Sequence, residues 1–170
     1  TLTVKLLQPN VAQDEKFATE RMAGTLQWVT TRLLSTRAQL VVAPETAIPL
    51  LPDQLESFAP GSWAALRQRF AQGGQWALVG VPLGDFDRGY TNSVMGLGPG
   101  AAYRYDKSHL VPFGEFVPPG FRWFTEAMNI PLGDFERGAV VQPSFAVQGE
   151  RVAPNICYED LFGEELARRF

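Results

Sequence analysis

The order of strand-like and helix-like segments in the first half of the chain restricts the fold more than any other feature. Short apolar segments of strand length occupy residues 2–7, 39–43 and 76–81, and we expect Pro82 to end the third. Between them, apolar residues recur at helical spacing over residues 15–34, and a second helix is predicted near residues 62–71. This β-α-β-α-β order predicts an α/β fold.

The second half of the chain is predicted to add antiparallel strands and one long irregular segment. Residues 90–97 and 101–105 read as a hairpin across Gly98, Pro99 and Gly100. Prolines and glycines interrupt any period over residues 107–142, and loops of this length are uncommon in compact domains unless they are functional. Two further strands, 144–148 and 151–156, follow, and the second ends at Cys157. A mixed sheet with an active-site wall in the long segment is therefore expected.

Composition and charge set limits on the class of protein. With 170 residues, 45% of them hydrophobic, the chain is expected to form one domain over residues 1–170. The net charge is −3 and the Lys and Arg residues are scattered, which argues against nucleic acid as a partner. No apolar run reaches the roughly 18 residues that a membrane span needs, so this segment by itself is expected to be soluble.

Three chemically capable residues stand where apolar segments end. Glu45, Lys107 and Cys157 each follow a predicted strand, and the carboxyl ends of strands are where α/β sheets bind ligands. Acyl transfer through a thiol needs a base, a nucleophile and a positive group that stabilises the oxyanion. Glu, Cys and Lys can supply these roles without a histidine.

Other interpretations of the same residues remain to be weighed. A lone cysteine such as Cys157 is often a small buried apolar group, and Lys107 alone would normally be solvated. His109, the single histidine, is expected to be structural and to form hydrogen bonds within its loop. One Cys and one His do not make a usual zinc site. Gly96, Gly98 and Ala101 mimic a dinucleotide-binding fingerprint, but a predicted strand follows them instead of the required helix. We therefore predict neither a metal nor a cofactor.

Three strings around these residues carry a resemblance to a known family. They are Val-Ala-Pro-Glu-Thr-Ala (42–47), Tyr-Asp-Lys-Ser-His-Leu-Val-Pro-Phe-Gly-Glu-Phe-Val-Pro (105–118) and Asn-Ile-Cys-Tyr-Glu-Asp (155–160). They resemble the three catalytic motifs of the nitrilase superfamily, and the longer second and third strings resemble its apolipoprotein N-acyltransferase branch.

The resemblance implies a fold and a set of roles. The fold is an α-β-β-α sandwich, whose C-terminal part we expect to be missing because the family continues beyond Phe170. By position, Glu45 is the general base, Lys107 the transition-state stabiliser and Cys157 the nucleophile. Glu115 is a supporting glutamate, and Tyr158 and Glu159 are further positions on which the family relies.

The family also implies a reaction and a location. Its members are bacterial inner-membrane enzymes whose hydrolase-like domain faces the periplasm. They move an acyl chain from a phospholipid, through a cysteine thioester, to the α-amino group of the diacylglyceryl cysteine of an apolipoprotein. Two alternatives stay open from the residues: a soluble amidase acting on a small C–N substrate, and a non-catalytic binding module with the same fold.

Aromatic residues in the long irregular segment suggest a contact with lipid. Phe121, Trp123 and Phe124 lie where prolines and glycines break every period, so these side chains cannot all face one interior. Aromatic rings favour the membrane interface. We therefore expect this stretch to form a lid that guides the acyl chain toward Cys157.

Overall fold

The structure is a computed structural model that describes residues 1–10, 19–112, 114–116 and 135–168. Its strands are β1 (Val4–Leu6), β2 (Leu40–Ala43), β3 (Trp76–Asp85), β4 (Gly89–Leu97), β5 (Tyr103–Asp106), β6 (Phe135–Glu136), β7 (Phe145–Val147) and β8 (Glu150–Val152). Its helices are α1 (Thr19–Leu34), α2 (Pro52–Phe58), α3 (Ser62–Gln72) and α4 (Gly163–Ala167), and a 3-10 turn covers Cys157–Leu161. Residues 15–18 of the predicted first helix lie outside the described residues.

One mixed sheet organises the fold and confirms the α/β prediction. The strand order is β1-β2-β3-β4-β5, with β6 beside β4. β1, β2 and β3 are parallel, whereas β4 runs antiparallel to both β3 and β5. β5 therefore runs in the same direction as β2, and the carboxyl ends of these two strands lie at the same edge of the sheet. The residues that follow them, Glu45 and Lys107, are brought to that edge together.

The two faces of the sheet are covered by different elements. Side chains alternate along each strand, so Val79 of β3 packs with the helices and Leu78 packs with the hairpin β7–β8. Phe70 of α3 and Val147 of β7 are fully buried on opposite sides. Burial of a side chain such as Phe70 stabilises the fold by about 1.5–3 kcal/mol. The resulting order, helices, sheet and hairpin, matches the first three layers of the expected sandwich.

The predicted end of the third strand at Pro82 is wrong. β3 continues to Asp85, and Pro82 pairs in register with Asn92 of β4. The Gly80 carbonyl points to the β2 side, where it accepts a hydrogen bond from the Ile48 N–H, and the Pro82 nitrogen two residues later faces the same side. Because β2 pairs with β3 only as far as Val79, the missing N–H of Pro82 breaks no ladder hydrogen bond.

The predicted strand that leads into Cys157 is also shorter than expected. β8 ends at Val152, so residues 153–156 separate it from the cysteine. Pro154 has no N–H to donate, and the Ile156 N–H is taken by the Glu159 side chain at 2.9 Å. The backbone hydrogen bond that would extend the strand is thus replaced by a local one.

Several short elements were absent from the sequence prediction, among them α2 and β6. α2 begins at Pro52, a residue favoured at the first helical position, and the Leu51 N–H donates to Gln54 Oε1 at 3.0 Å. β6 has only two residues and pairs in parallel with Tyr90 and Thr91 of β4. Neither element is long enough to show a period in sequence.

Candidate active site

Glu45 lies on a tight turn that packs directly on β3. The Ala47 N–H donates to the Pro44 carbonyl at 3.0 Å, and Thr46 has a left-handed φ of 48°. A β-carbon on Gly80 would come within 2.2 Å of the Pro44 carbonyl oxygen and 2.8 Å of the Glu45 α-carbon. Glycine is therefore required at position 80 for the turn to lie this close, and the backbone of Glu45 is fixed by the contact.

Lys107 is a buried cation held at both its backbone and its side chain. Its N–H donates to the Asn92 carbonyl at 2.8 Å, and its own carbonyl accepts from the Gly138 N–H at 2.9 Å. The side chain is 1% exposed, and Nζ lies 2.9 Å from Glu115 Oε1 and 2.8 Å from Glu115 Oε2. A buried ammonium is tolerated only when it is paired and hydrogen-bonded, and Glu115 supplies that pairing.

A buried amide joins the two carboxylates near Lys107. Asn92 Nδ2 donates to Glu45 Oε1 at 2.6 Å and to Glu115 Oε1 at 2.9 Å. Lys107 Nζ lies 3.7 Å from Glu45 Oε1. The structure thus brings two of the three predicted strand-end residues, Glu45 and Lys107, into one connected cluster with Glu115, and adds Asn92 to it.

The sequence analysis missed Asn92, although it carries a signal. Asn is a poor strand former, yet it stands between Thr91 and Ser93 in the middle of an otherwise apolar strand. Three consecutive polar residues that become buried inside a strand indicate a polar network. In a sequence alone, the same run also fits a solvated strand edge.

Cys157 stands at the start of the 3-10 turn in an unusual backbone conformation. Its φ is 51°, which is the left-handed region that non-glycine residues seldom adopt and that is enriched at functional sites. The thiol is free and the residue is exposed. The cysteine is therefore presented to solvent by its turn and is not the buried apolar group that a lone cysteine often is.

Glu159 ties the turn of Cys157 to the segment that carries Lys107. The residue is 3% exposed. Its oxygens accept hydrogen bonds from the Tyr105 hydroxyl at 2.7 Å and from the Ser108 N–H at 2.7 Å. They also accept from the Ser108 hydroxyl at 2.9 Å and from the Ile156 N–H at 2.9 Å. Cys157 and Lys107 are thereby connected through one carboxylate.

The hydrogen bonds to Glu159 also keep it charged. Burial by itself raises the pKa of the Glu159 carboxyl, but the hydrogen bonds from Tyr105, Ser108 and Ile156 stabilise the carboxylate and hold its pKa below the ordinary value. A buried anion at this position is consistent with a role as a fixed anchor and not as a group that exchanges protons.

Aromatic contacts link the same two segments on the outside. The His109 ring stacks on Phe162 with centroids 3.8 Å apart, and Tyr158 meets Phe162 edge-on at 5.5 Å. His109 Nε2 lies 2.6 Å from Glu165 Oε2. The expectation that His109 bonds within its own loop is therefore wrong, because its partner belongs to α4. Its structural role is supported, and Tyr158 takes part in the packing.

The predicted lid residues Phe121, Trp123 and Phe124 lie outside the described residues. A cavity of about 350 Å³ in the described part of the chain lies elsewhere. Small residues such as Gly96 and Gly98 line it together with Arg67 of α3. Gly96 pairs with Leu78 near the start of β3, so this cavity is at the opposite edge of the sheet from Glu45.

Comparison with known proteins places this geometry in a family. The family model for carbon-nitrogen hydrolases matches residues 3–168. The chain belongs to the carbon-nitrogen hydrolase family. Its fold agrees with that membership: a CN-hydrolase superfamily protein from Xanthomonas campestris superposes with a TM-score of 0.55. At 23% identity, that superposition covers 95% of this chain and 55% of the other.

More similar proteins of this carbon-nitrogen hydrolase family carry a narrower name. The chain is 62% identical, over its full length, to an apolipoprotein N-acyltransferase from Verminephrobacter eiseniae. It is 52% identical, over 98% of its length, to an apolipoprotein N-acyltransferase from Ralstonia nicotianae. The match covers 32% of each of these relatives, so the chain spans about a third of their length.

Proposed function

We propose that residues 1–170 are the catalytic domain of an apolipoprotein N-acyltransferase. The domain would take an acyl chain from a phospholipid and pass it to the α-amino group of a diacylglyceryl cysteine at the N-terminus of an apolipoprotein. The observation that carries the proposal is the cluster of Glu45, Lys107 and Glu115, in a chain 62% identical to a protein of that name. The residue after Lys107, Ser108, is hydrogen-bonded to Glu159 in the turn that begins at Cys157.

The proposal includes a location at the bacterial inner membrane, with this domain facing the periplasm. Lipid-linked substrates of this kind reside in a membrane, and the name of the relatives supports it. Within the described residues, no helix is long and apolar enough to cross a bilayer. Phe121, Trp123 and Phe124 remain our candidates for the contact with the acyl chain.

The first half-reaction would form a thioester on Cys157. Glu45 takes the proton from Sγ, and the thiolate attacks the ester carbonyl carbon of the phospholipid. The oxyanion that forms is stabilised by the Lys107 ammonium and by backbone N–H groups near the nucleophile. The carbon–oxygen bond then breaks, and the lysophospholipid alkoxide leaves with the proton that Glu45 held.

The second half-reaction would return the enzyme to its starting state. The α-amino group of the apolipoprotein attacks the thioester carbonyl, and Lys107 again stabilises the oxyanion. The carbon–sulfur bond breaks, and Cys157 leaves as the thiolate. Glu45 takes a proton from the attacking amine and returns it to the thiolate, so the amide and the free thiol are the final products.

The structure favours Glu45 over Glu115 as the base. Both oxygens of Glu115 lie within 2.9 Å of Lys107 Nζ, and its Oε2 also accepts the Val111 N–H at 2.8 Å. Its side chain is 12% exposed, whereas that of Glu45 is 33% exposed and lies farther from Lys107. Glu115 therefore neutralises the buried lysine, and Glu45 is the carboxylate that a substrate can approach.

An assay of the complete protein in phospholipid vesicles tests this function. A synthetic peptide with an N-terminal diacylglyceryl cysteine should gain one acyl chain, and an equal amount of lysophospholipid should appear. The matched control is the same peptide with its amino group acetylated, which should gain none. Hydrolysis of small amides without transfer to the peptide would contradict the proposal and favour the soluble amidase instead.

A further inference from the structure

Asn92 makes contact with every charged member of the cluster. Its side-chain amide donates to Glu45 and to Glu115, and its backbone carbonyl accepts a hydrogen bond from the backbone N–H of Lys107. A carboxylate only accepts hydrogen bonds, so both contacts require that the NH₂ end of the amide, and not the oxygen, faces the two glutamates.

This orientation leaves the other end of the amide unsatisfied. Asn92 is 2% exposed, and its Oδ1 accepts no hydrogen bond from the residues that the structure describes. A buried acceptor without a partner destabilises a fold, and such groups call for an explanation. In return, the two N–H groups of Asn92 hold two like-charged carboxylates next to one lysine.

The pairing of β3 with β4 fixes the backbone of Asn92 and therefore the position of its side-chain amide. The residue pairs in register with Pro82 of β3, two positions beyond the Gly80 on which the Glu45 turn rests. The same stretch of β3 and β4 therefore sets both the backbone position of Glu45 and the direction of its carboxylate.

We propose that Asn92 is a positioning residue that aims the Glu45 carboxylate at the Cys157 thiol. The amide holds Glu45 Oε1 and keeps this carboxylate from the bidentate pairing with Lys107 that Glu115 makes. Because the inference rests on the proposed function, it is tested on complete wild-type protein already shown to acylate the diacylglyceryl peptide. Failure of the wild-type protein would refute the function, and the variants below address Asn92 alone.

Two variants of Asn92 separate positioning from folding. Asn92→Ala removes the amide, and Asn92→Asp keeps its shape but replaces the donor with a third carboxylate. We expect kcat for acyl transfer to fall about 100-fold, as for an active-site group displaced by about 1 Å, while KM changes less than about threefold. Ser93→Ala is the matched control, since it removes a buried hydroxyl of the same strand that bonds Asp106 at 2.6 Å.

A double-mutant cycle with Glu45→Gln distinguishes a positioning role of Asn92 from a purely structural one. If Asn92 acts through Glu45, Asn92→Ala should slow the alkylation of Cys157 by iodoacetamide in the wild-type background and add nothing in the Glu45→Gln background. Additive effects, a kcat within about threefold of wild type, or an activity loss that only follows the unfolded fraction would each overturn the proposal. If Asn92→Ala does not fold, the same cycle with Asn92→Asp decides, and failure of both to fold would also overturn it.

Discussion

Lys107, the proposed oxyanion stabiliser, is a buried cation between two carboxylates of different character. Glu115 binds it with both oxygens, and Glu45 approaches it at 3.7 Å. A thiol nucleophile needs both a base and an oxyanion stabiliser, and this asymmetry allows neighbouring groups to divide the two tasks.

Replacement of the three proposed catalytic residues should abolish turnover in the complete protein. Cys157→Ala, Glu45→Gln and Lys107→Ala should each lower kcat by more than about 100-fold, since loss of a nucleophile or its partners removes most of the catalysis. A double substitution should be little worse than a single one, because residues that act as a unit are not additive. Steady-state kinetics with phospholipid donor measures this, and more than about a hundredth of wild-type rate in Cys157→Ala would contradict a covalent route.

Glu159 should make the free energy of unfolding of the domain depend on pH in the acidic range. Its pKa is lowered in the folded state, so the folded protein binds fewer protons than the unfolded chain. Its contribution is therefore complete above the unfolded pKa of about 4.3, and it is lost as pH falls through the lower, folded pKa. Glu159→Gln should lose this part of the pH dependence and be less stable near neutral pH.

Urea unfolding between about pH 3 and pH 7 checks this expectation, since that range spans the ordinary carboxyl pKa. Glu164→Gln, a change at an exposed carboxylate of α4, is the matched control and should keep the wild-type profile. If Glu159→Gln and wild-type protein lost stability in parallel on acidification, Glu159 would not be the buried anchor described above.

At the scale of elements, the turn after β2 depends on the absence of a β-carbon at Gly80. Gly80→Ala would place a β-carbon against backbone atoms of Pro44 and Glu45, so the turn must move. Overpacking of this kind costs about 1–3 kcal/mol, and the displaced Glu45 should lower kcat by about tenfold or more.

The control for this change is Gly96→Ala, at the other end of the sheet. There a β-carbon would meet Tyr103 Cβ at 2.8 Å and Phe145 Cε2 at 2.9 Å, so a comparable loss of stability is expected without a change in kcat of the folded protein. Thermal unfolding and kcat measured on both variants distinguish the two. Equal kcat values for the variants would contradict the role of Gly80 in placing Glu45.

The sequence predicted elements that show a local apolar pattern and missed features that depend on a few contacts between distant residues. α1 is predicted from its helical spacing and the first three strands from short apolar segments, and the structure confirms that these elements exist. The continuation of β3 past Pro82 depends on where β2 ends, and the early end of β8 depends on the Glu159 side chain. Both boundaries are determined by tertiary contacts, so a local sequence pattern does not predict them.

The site shows the same division. Glu45, Lys107 and Cys157 could be predicted to converge because each follows a predicted strand, and the structure brings Glu45 and Lys107 together with Glu115. Asn92 carries only an ambiguous signal in the sequence, since its position beside Glu45 depends on the register of β4 against β3. The roles assigned to Glu45, Lys107, Glu115 and Cys157, and to the lid residues, all stay predictions.

At the scale of the molecule, the site is assembled between the two sides of the sheet. The helix-backed sheet supplies Glu45, Lys107 and Asn92, whereas Cys157 follows the hairpin β7–β8 that packs on the opposite face. Glu159 joins the two halves through Tyr105 and Ser108. Correct packing of the hairpin on the sheet is therefore a condition for Cys157, the proposed nucleophile, to meet Glu45, its proposed base.

The measurement that tests the account most directly is the capture of an acyl group on the complete protein. Incubated with phospholipid and no acceptor, the protein should gain one acyl chain on the peptide that contains Cys157. The chain should be released by hydroxylamine and by added diacylglyceryl peptide. Ser108 is buried and its hydroxyl bonds to Glu159, so it should stay unmodified. An acyl chain on Ser108 or another residue, or product formation in rapid-quench mixing without any acyl-Cys157, would contradict the account.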